Sequence, residues 1–351
     1  MTRRIERALP LLGVLAFLFI TAGAFAAEPD RRLPRGCTAA TAPGRGLQRF
    51  VDGLRAGDVG CLLPGDYDAR RLVLRRRGTA RARITLRSAD PKHRATVHGR
   101  LWVSSAGSYW TIEDLDLDGR NARNLPSPVV NGDDTVWLRV DVTNHRAGDG
   151  ATSGGICFLL GDTTRWGIPR NTAIVESRIH DCGVSDNSNH GIYISATAGT
   201  TVIEDNWIYR NGDRGVQLYP DASHVRIVHN VIDQNGTGVI FSGTGPYASH
   251  ENVVLGNIIS NSRNRWNVES WYPDGTGSAV GNVVAGNCLW ATNATPQYDT
   301  DGGVAPPTGF SVGPNVVQRP LFVAPDEGDF RLVKGSGCAG YGPHPGRAPL
   351  W

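Results

Sequence analysis

The chain is poor in methionine, with one in 351 residues, and nearly devoid of lysine. Of its 36 basic residues only Lys92 and Lys334 are not arginine. Sustained apolar heptads are absent, which excludes a coiled coil or a helical bundle. No C-x-x-C spacing occurs, which excludes the cysteine-rich zinc modules. A net charge of only +3 excludes a strongly basic nucleic-acid binder. Beyond the first 26 residues no apolar run approaches the ~20 residues of a membrane helix, so a soluble mature chain without a membrane partner is expected. What is abundant is glycine, 44 residues, with 21 prolines, which implies many turns. An apolar fraction of 40% is enough to bury a core.

Residues 1–26 read as a secretory signal: Arg3, Arg4 and Arg7 precede an apolar stretch, Ala8 to Phe25, and Ala24-Phe25-Ala26 supplies small residues around a cut after Ala26. An uncleaved anchor is the alternative. Cleavage predicts a secreted, extracellular protein. Residues 27–36 read as a linker and 346–351 as a C-terminal tail. Loss of the signal, which carries three arginines and Glu6, leaves a net charge of +1. Residues 69–100 hold eleven basic side chains against Asp90, so that segment is +10 and the rest of the mature chain −9. The segment is expected to form a solvated arginine face. Six cysteines in an exported chain point to disulfides, and pairing of sequence neighbours is expected: Cys37–Cys61, Cys157–Cys182 and Cys288–Cys338.

Internal repetition decides the fold. Val202-Ile203-Glu204-Asp205-Asn206-Trp207-Ile208 returns 24 residues later as Arg226-Ile227-Val228-His229-Asn230-Val231-Ile232, then around Asn257 and Asn287, with Ser177 in the asparagine place upstream. A second strand follows each unit, at Gly155, Gly191, Gly215 and Gly238. Its alternation points Ile192, Ile194, Val216, Leu218, Val239 and Phe241 inward and Tyr193, Ser195, Gln217 and Tyr219 outward. Strands this short must stack, coil on coil, with Asn206, Asn230, Asn257 and Asn287 forming an amide ladder in one corner. The expected fold is all-β: a single-stranded right-handed parallel β-helix, a solenoid over residues 37–345. Leu47, Phe50, Val51 and Leu54 have helical spacing and predict an N-terminal capping helix.

This pattern resembles the pectate-lyase-like superfamily of secreted β-helix proteins. Leu47 to Val59 with Leu63-Pro64-Gly65-Asp66-Tyr67 is similar to their opening helix and first strand, and Pro320 to Val323 with Gly328 to Leu332 to their last coil. The resemblance implies the fold and a carbohydrate-active role, since the fold hosts lyases, hydrolases, epimerases and non-enzymes. It also implies a groove along one sheet, walled by long corner loops. The corners at residues 145–154 and 183–191 are long, whereas Gly212 to Gly215 is minimal.

The residues beside these loops are therefore the candidates. Arg214, His190 and Tyr193 are the catalytic set: Arg214 as a carboxylate clamp or base, His190 with Tyr193 as an acid–base pair. Gln217, Tyr219, Asp213, Glu269 and Trp271 are candidates for substrate binding, aromatic faces stacking on sugar rings. No cofactor motif is present. Asp149 and Asp186, with Asp213, are the oxygen donors available for Ca²⁺. The leading expectation is a monomeric polysaccharide lyase that cleaves an acidic, uronate-containing glycan by β-elimination. The alternatives are a glycoside hydrolase using Asp186 with Asp213 or Asp221, and a non-catalytic glycan-binding surface protein.

Overall fold

Strands of three to five residues, such as Ala173–Val175 and Ile192–Ala196, gain stability only by pairing with copies of themselves above and below. The computed structural model describes residues 33–121, 125–144, 155–162, 165–184, 187–344 and 346. Among these, each coil contributes one strand to each of three faces. The first face has eleven strands in strict sequence order, from Ala39–Thr41 through Ile84–Ser88 and Thr201–Glu204 to Ser311–Val312. The second runs from Asp116–Asp118 through Arg178–Cys182, Trp207–Tyr209 and Val231–Asp233 to Val316–Val317. The third comprises Val129–Val130, Phe158–Leu160, Ile192–Ala196, Arg214–Asp221, Thr237–Thr244 and Val268–Trp271. All these ladders are parallel. Near the N-terminus the second and third faces merge in two long strands, Gly65–Leu74 and Ala95–Val103. Gly99 sits at their bend with φ 106°, where a Cβ would lie 2.9 Å from the Arg70 nitrogen. The chain is an all-β right-handed parallel β-helix.

The core follows the alternation of the sequence. Ile192, Ile194, Val216, Leu218, Val239 and Phe241 are fully buried, and the core column continues through Ile84, Leu86, Val97 and Leu101. The capping helix spans Leu47–Gly53 and buries Leu47 and Val51, with Leu54 just beyond it. All three expected disulfides are present: Cys37–Cys61, Cys157–Cys182 and Cys288–Cys338.

Corners hold the stack together. At the first corner each coil places one residue in the left-handed region, Glu176, Asp205, His229, Gly256 and Gly286 in turn. The next residue is Ser177 or an asparagine. Asn206 Nδ2 donates to Asn230 Oδ1 at 2.9 Å, Asn230 Nδ2 to Asn257 Oδ1 at 2.9 Å, Asn257 Nδ2 to Asn287 Oδ1 at 2.9 Å, and Asn287 Nδ2 to Asn315 Oδ1 at 3.0 Å. Each backbone N–H of the column donates to the same amide oxygen of the next coil. The expected ladder thus exists, extended by Asn315. Two further columns were not foreseen: Asn211 to Asn235 at the second corner, 2.9 Å, and Asn252 to Asn282 at the third, 2.9 Å.

Two sequence expectations need correction. The arginines of residues 69–100 are not simply a solvated face. Arg83 donates to the carbonyls of Trp110 (2.7 Å) and Asp134, Arg94 to that of Arg139 (2.7 Å), and Arg76 to that of Leu54 (3.0 Å). Asp134 and Arg139 are left-handed corner residues whose carbonyls the guanidinium groups reach. Nor do residues 320–332 form a last coil. Phe322–Ala324 and Asp329–Leu332 pair antiparallel. Phe330 packs on Tyr209 with ring centroids 4.9 Å apart, so the hairpin lies against the second face. Residues 1–26 lie outside the described residues.

Asn230 makes three donor and two acceptor contacts in the column interior. Asn230→Ala is expected to lower the unfolding free energy by about 2–4 kcal/mol, since several buried groups lose their partners. Asn315→Ala, at the half-buried end, should cost about 1 kcal/mol. Chemical denaturation of both variants checks this ordering.

Candidate functional site

Glycines fix where the third face can carry side chains. A Cβ on Gly238 would sit 2.2 Å from the Asn267 carbonyl, and one on Gly215 would sit 2.9 Å from the Gly238 carbonyl. Successive coils therefore touch backbone to backbone at this column. The residues on either side of it are held in register: Ile192 pairs with Val216, and Val216 with Val239. That register sets His190 over Arg214, and the Gly191 N–H donates to the Arg214 carbonyl at 2.9 Å. It also aligns Leu159, Tyr193, Gln217, Ile240 and Glu269 as one outward row.

This row, Glu269 apart, floors an open groove of about 750 Å³. His190, Tyr193, Arg214, Gln217, Tyr219 and Trp271 all line it. Six of the eight candidate side chains are thus brought to one cavity. Tyr193 stacks on His190 (5.6 Å, 15° between planes) and meets Tyr219 edge-on at 6.4 Å. Tyr219 lies 6.3 Å from Trp271, which is 52% exposed and presents an apolar face to solvent. Asp213 and Glu269 contribute differently. Asp213 is buried and ion-paired to Arg214, while Glu269 is buried and ion-paired to Arg265. Arg265 reaches the groove.

His190, Asp213 and Arg214 are buried, not open surface groups as their outward placement suggested. The long corner explains it: Arg214 Nη1 donates to Asn187 Oδ1, so residues 187–188 lie over the guanidinium. Among the described residues, His190 Nδ1, Arg214 Nε and Gln217 Oε1 are buried without a hydrogen-bond partner. Three such atoms on adjacent coils are unusual in a native structure, where buried polar groups are nearly all paired.

Burial also sets the charges. The His190 imidazole is pushed down to about 3, first by desolvation and then by the Arg214 charge, so it is neutral near pH 7. Burial raises Asp213 to about 6, outweighing the attraction of Arg214 and Arg265, and Glu269 adds repulsion. Asp213 Oδ2 stands 3.6 Å from His190 Nδ1. Tyr193 is raised to about 12 by burial, with Tyr219 and Asp162 adding, so its hydroxyl keeps its proton.

Of the Ca²⁺ donors, Asp149 and Asp186 lie outside the described residues, and Asp213 is committed to Arg214. Among the described residues no group of three or more His, Cys, Asp or Glu side chains is placed to hold an ion. Sequence reasoning missed Arg265. Its signal was available: residues 261–267 form a long corner where the preceding coil needs only 234–236.

Residues 142–296 match the family described as "Right handed beta helix region". No curated protein matches this sequence. Two solved structures share the fold. One is a crystal structure of pectate lyase Pel9A, 13% identical, covering 89% of this chain and 94% of its own, with a TM-score of 0.54. The other is an alginate lyase from Paenibacillus sp. str. FPU-7, 16% identical, covering 80% of this chain and 100% of its own, with a TM-score of 0.51. What these two structures share with the chain is the right-handed parallel β-helix fold.

The raised value of Asp213 carries a signed prediction. A carboxyl raised in the folded state stabilises fully below its unfolded value of ~3.9 and loses that contribution as pH climbs through the folded value of about 6. The stability of the unmodified chain relative to Asp213→Asn should therefore fall between pH 4 and pH 7. Paired melting curves across that range test it; a constant difference contradicts it.

Proposed function

We propose that this right-handed β-helix protein is a secreted, monomeric polysaccharide lyase acting on an anionic, uronate-containing glycan. The observation that carries the reading is a neutral buried imidazole, His190, held in register with a buried guanidinium, Arg214, beneath a protonated phenol, Tyr193, in the floor of an open groove. β-Elimination from a uronate needs these three functions. The carboxylate must be neutralised so that its α-proton, on C5, becomes removable. Arg214 and Arg265, each already paired with a carboxylate, line the groove and offer the uronate their remaining N–H donors for that. A base must take the C5 proton, and His190 is in the proton-accepting form. The electron pair then forms the C4–C5 double bond as the C4–O bond breaks. The departing oxygen needs a proton, and Tyr193 holds one.

Substrate changes the site it enters. A uronate carboxylate beside Arg214 offsets part of the positive charge that, after desolvation, holds His190 down. The imidazole then becomes a stronger base when it is needed. Tyr193, Tyr219 and Trp271 offer ring faces along the groove for sugar stacking. Hydrolysis by a carboxylate pair is less well supported, because Asp213 and Glu269 are each tied to an arginine. The three disulfides fit an oxidising, extracytoplasmic location.

The test is a screen of the protein on pectate, alginate and glycosaminoglycans. Ultraviolet-absorbing unsaturated ends are expected on one of them. Reducing ends without that absorbance mean hydrolysis, and binding without cleavage means a glycan-binding protein. His190→Ala, Tyr193→Phe and Arg214→Ala should each lower kcat/KM by about 100-fold or more with the circular dichroism spectrum unchanged. Undiminished turnover in all three removes the assignment.

A further inference from the structure

A second hollow of about 320 Å³ lies on the same face, toward the N-terminal end. It is built from Arg71, Arg100, Trp102, Asn131, Asp162 and Trp166. Nothing in the reaction described above uses it. Register places it: Trp102 pairs with Val129, Val129 with Leu159, and Leu159 with Tyr193. Three coil spacings separate Trp102 from Tyr193, roughly 14 Å at ~4.8 Å per coil.

Three features of this hollow suit an anionic ligand. Arg71 and Arg100 are direct partners on adjacent strands, which gathers two guanidinium groups at one place. Arg100 Nε donates to the Pro126 carbonyl at 3.1 Å. Among the described residues Arg71 has no ion-pair partner, and its guanidinium rests on the Trp102 ring at 4.8 Å. Trp166 is 46% exposed yet firmly placed. Its ring meets Trp102 edge-on at 5.3 Å, and the adjacent Gly167 carbonyl accepts from Asn131 Nδ2 at 2.8 Å. Asn131 is itself buried and accepts from Trp102 Nε1 at 2.7 Å. A buried amide therefore ties both tryptophans into one rigid platform.

We infer that this platform is a distal subsite for an anionic sugar of the same glycan chain, so that the groove grips its substrate at two points three coils apart. The inference rests on the anionic-glycan reading of the groove. Trp166 offers a ring face to the sugar, and Arg71 and Arg100 take its carboxylate. Asp162 lines both hollows and lies between them. There it accepts from sugar hydroxyls. Long chains then bind better than short ones, because a short oligomer reaches only one of the two points.

The experiment measures binding and cleavage of oligogalacturonates and oligomannuronates from the dimer to the octamer, using the full protein and its Arg71→Ala and Trp166→Ala variants. Both side chains are exposed, so folding is retained. Each variant should bind the octamer about fivefold more weakly and the shortest bound oligomer unchanged. Octamer affinity within twofold of the unmodified protein, or equal losses for long and short oligomers, overturns the inference and leaves the reaction untouched. Binding without unsaturated products overturns the lyase reading, while the length dependence still decides the subsite. No binding of any octamer overturns both.

Discussion

Everything in this molecule depends on each coil closing its corners in the same way as the coil beneath it. A left-handed residue followed by an asparagine turns the chain and points an amide along the stack. One amide oxygen then accepts from both the backbone and the side chain of its neighbour, so a polar group without a strand to join is fully satisfied inside the core. Strands of three residues become possible because corners, and not strand length, fix the register. Where the second-corner column reaches Cys182, which stands in the place of Asn211 one coil on, the Asn211 Oδ1 still accepts from the backbone at 3.2 Å, and a disulfide replaces the next amide.

The same constraint says where chemistry can reside. Corner positions of the ladders hold serine, cysteine or asparagine, and the inward strand residues are apolar. Only outward positions and the corners released from the minimum length are free. The two long corners at residues 183–191 and 261–267 use that freedom to bring Asn187 and Arg265 over the third face. Burial there lowers the His190 imidazole and raises the Tyr193 phenol. A site of the same residues on a bare sheet would hold ordinary, solvated side chains.

The fold was legible in the sequence because its period is written in residues that have no other reason to recur. Asn206 and Asn230, or Gly191 and Gly215, can be aligned by eye. The pairing of cysteines followed from their neighbourhood in the chain. Candidate residues in the third-face strands were picked from alternation, and five of them share one cavity with His190. Other features were not. Arg83 and Arg94 looked like surface charge because their carbonyl partners lie one or two coils away, at positions with no distinguishing side chain. The burial of His190 depends on a loop whose path sequence does not specify. The hairpin at Phe322 to Leu332 alternates like a coil strand, and only its antiparallel partner tells the difference.

The Cys157–Cys182 bond joins two coils immediately before the loop of residues 183–191 departs. The loop's root is thereby clamped independently of what the loop itself contains. Its residues can be exchanged, lengthened or rearranged without loosening the coils on either side. Such a scaffold lets the sequence of the insertion change while the architecture stays constant.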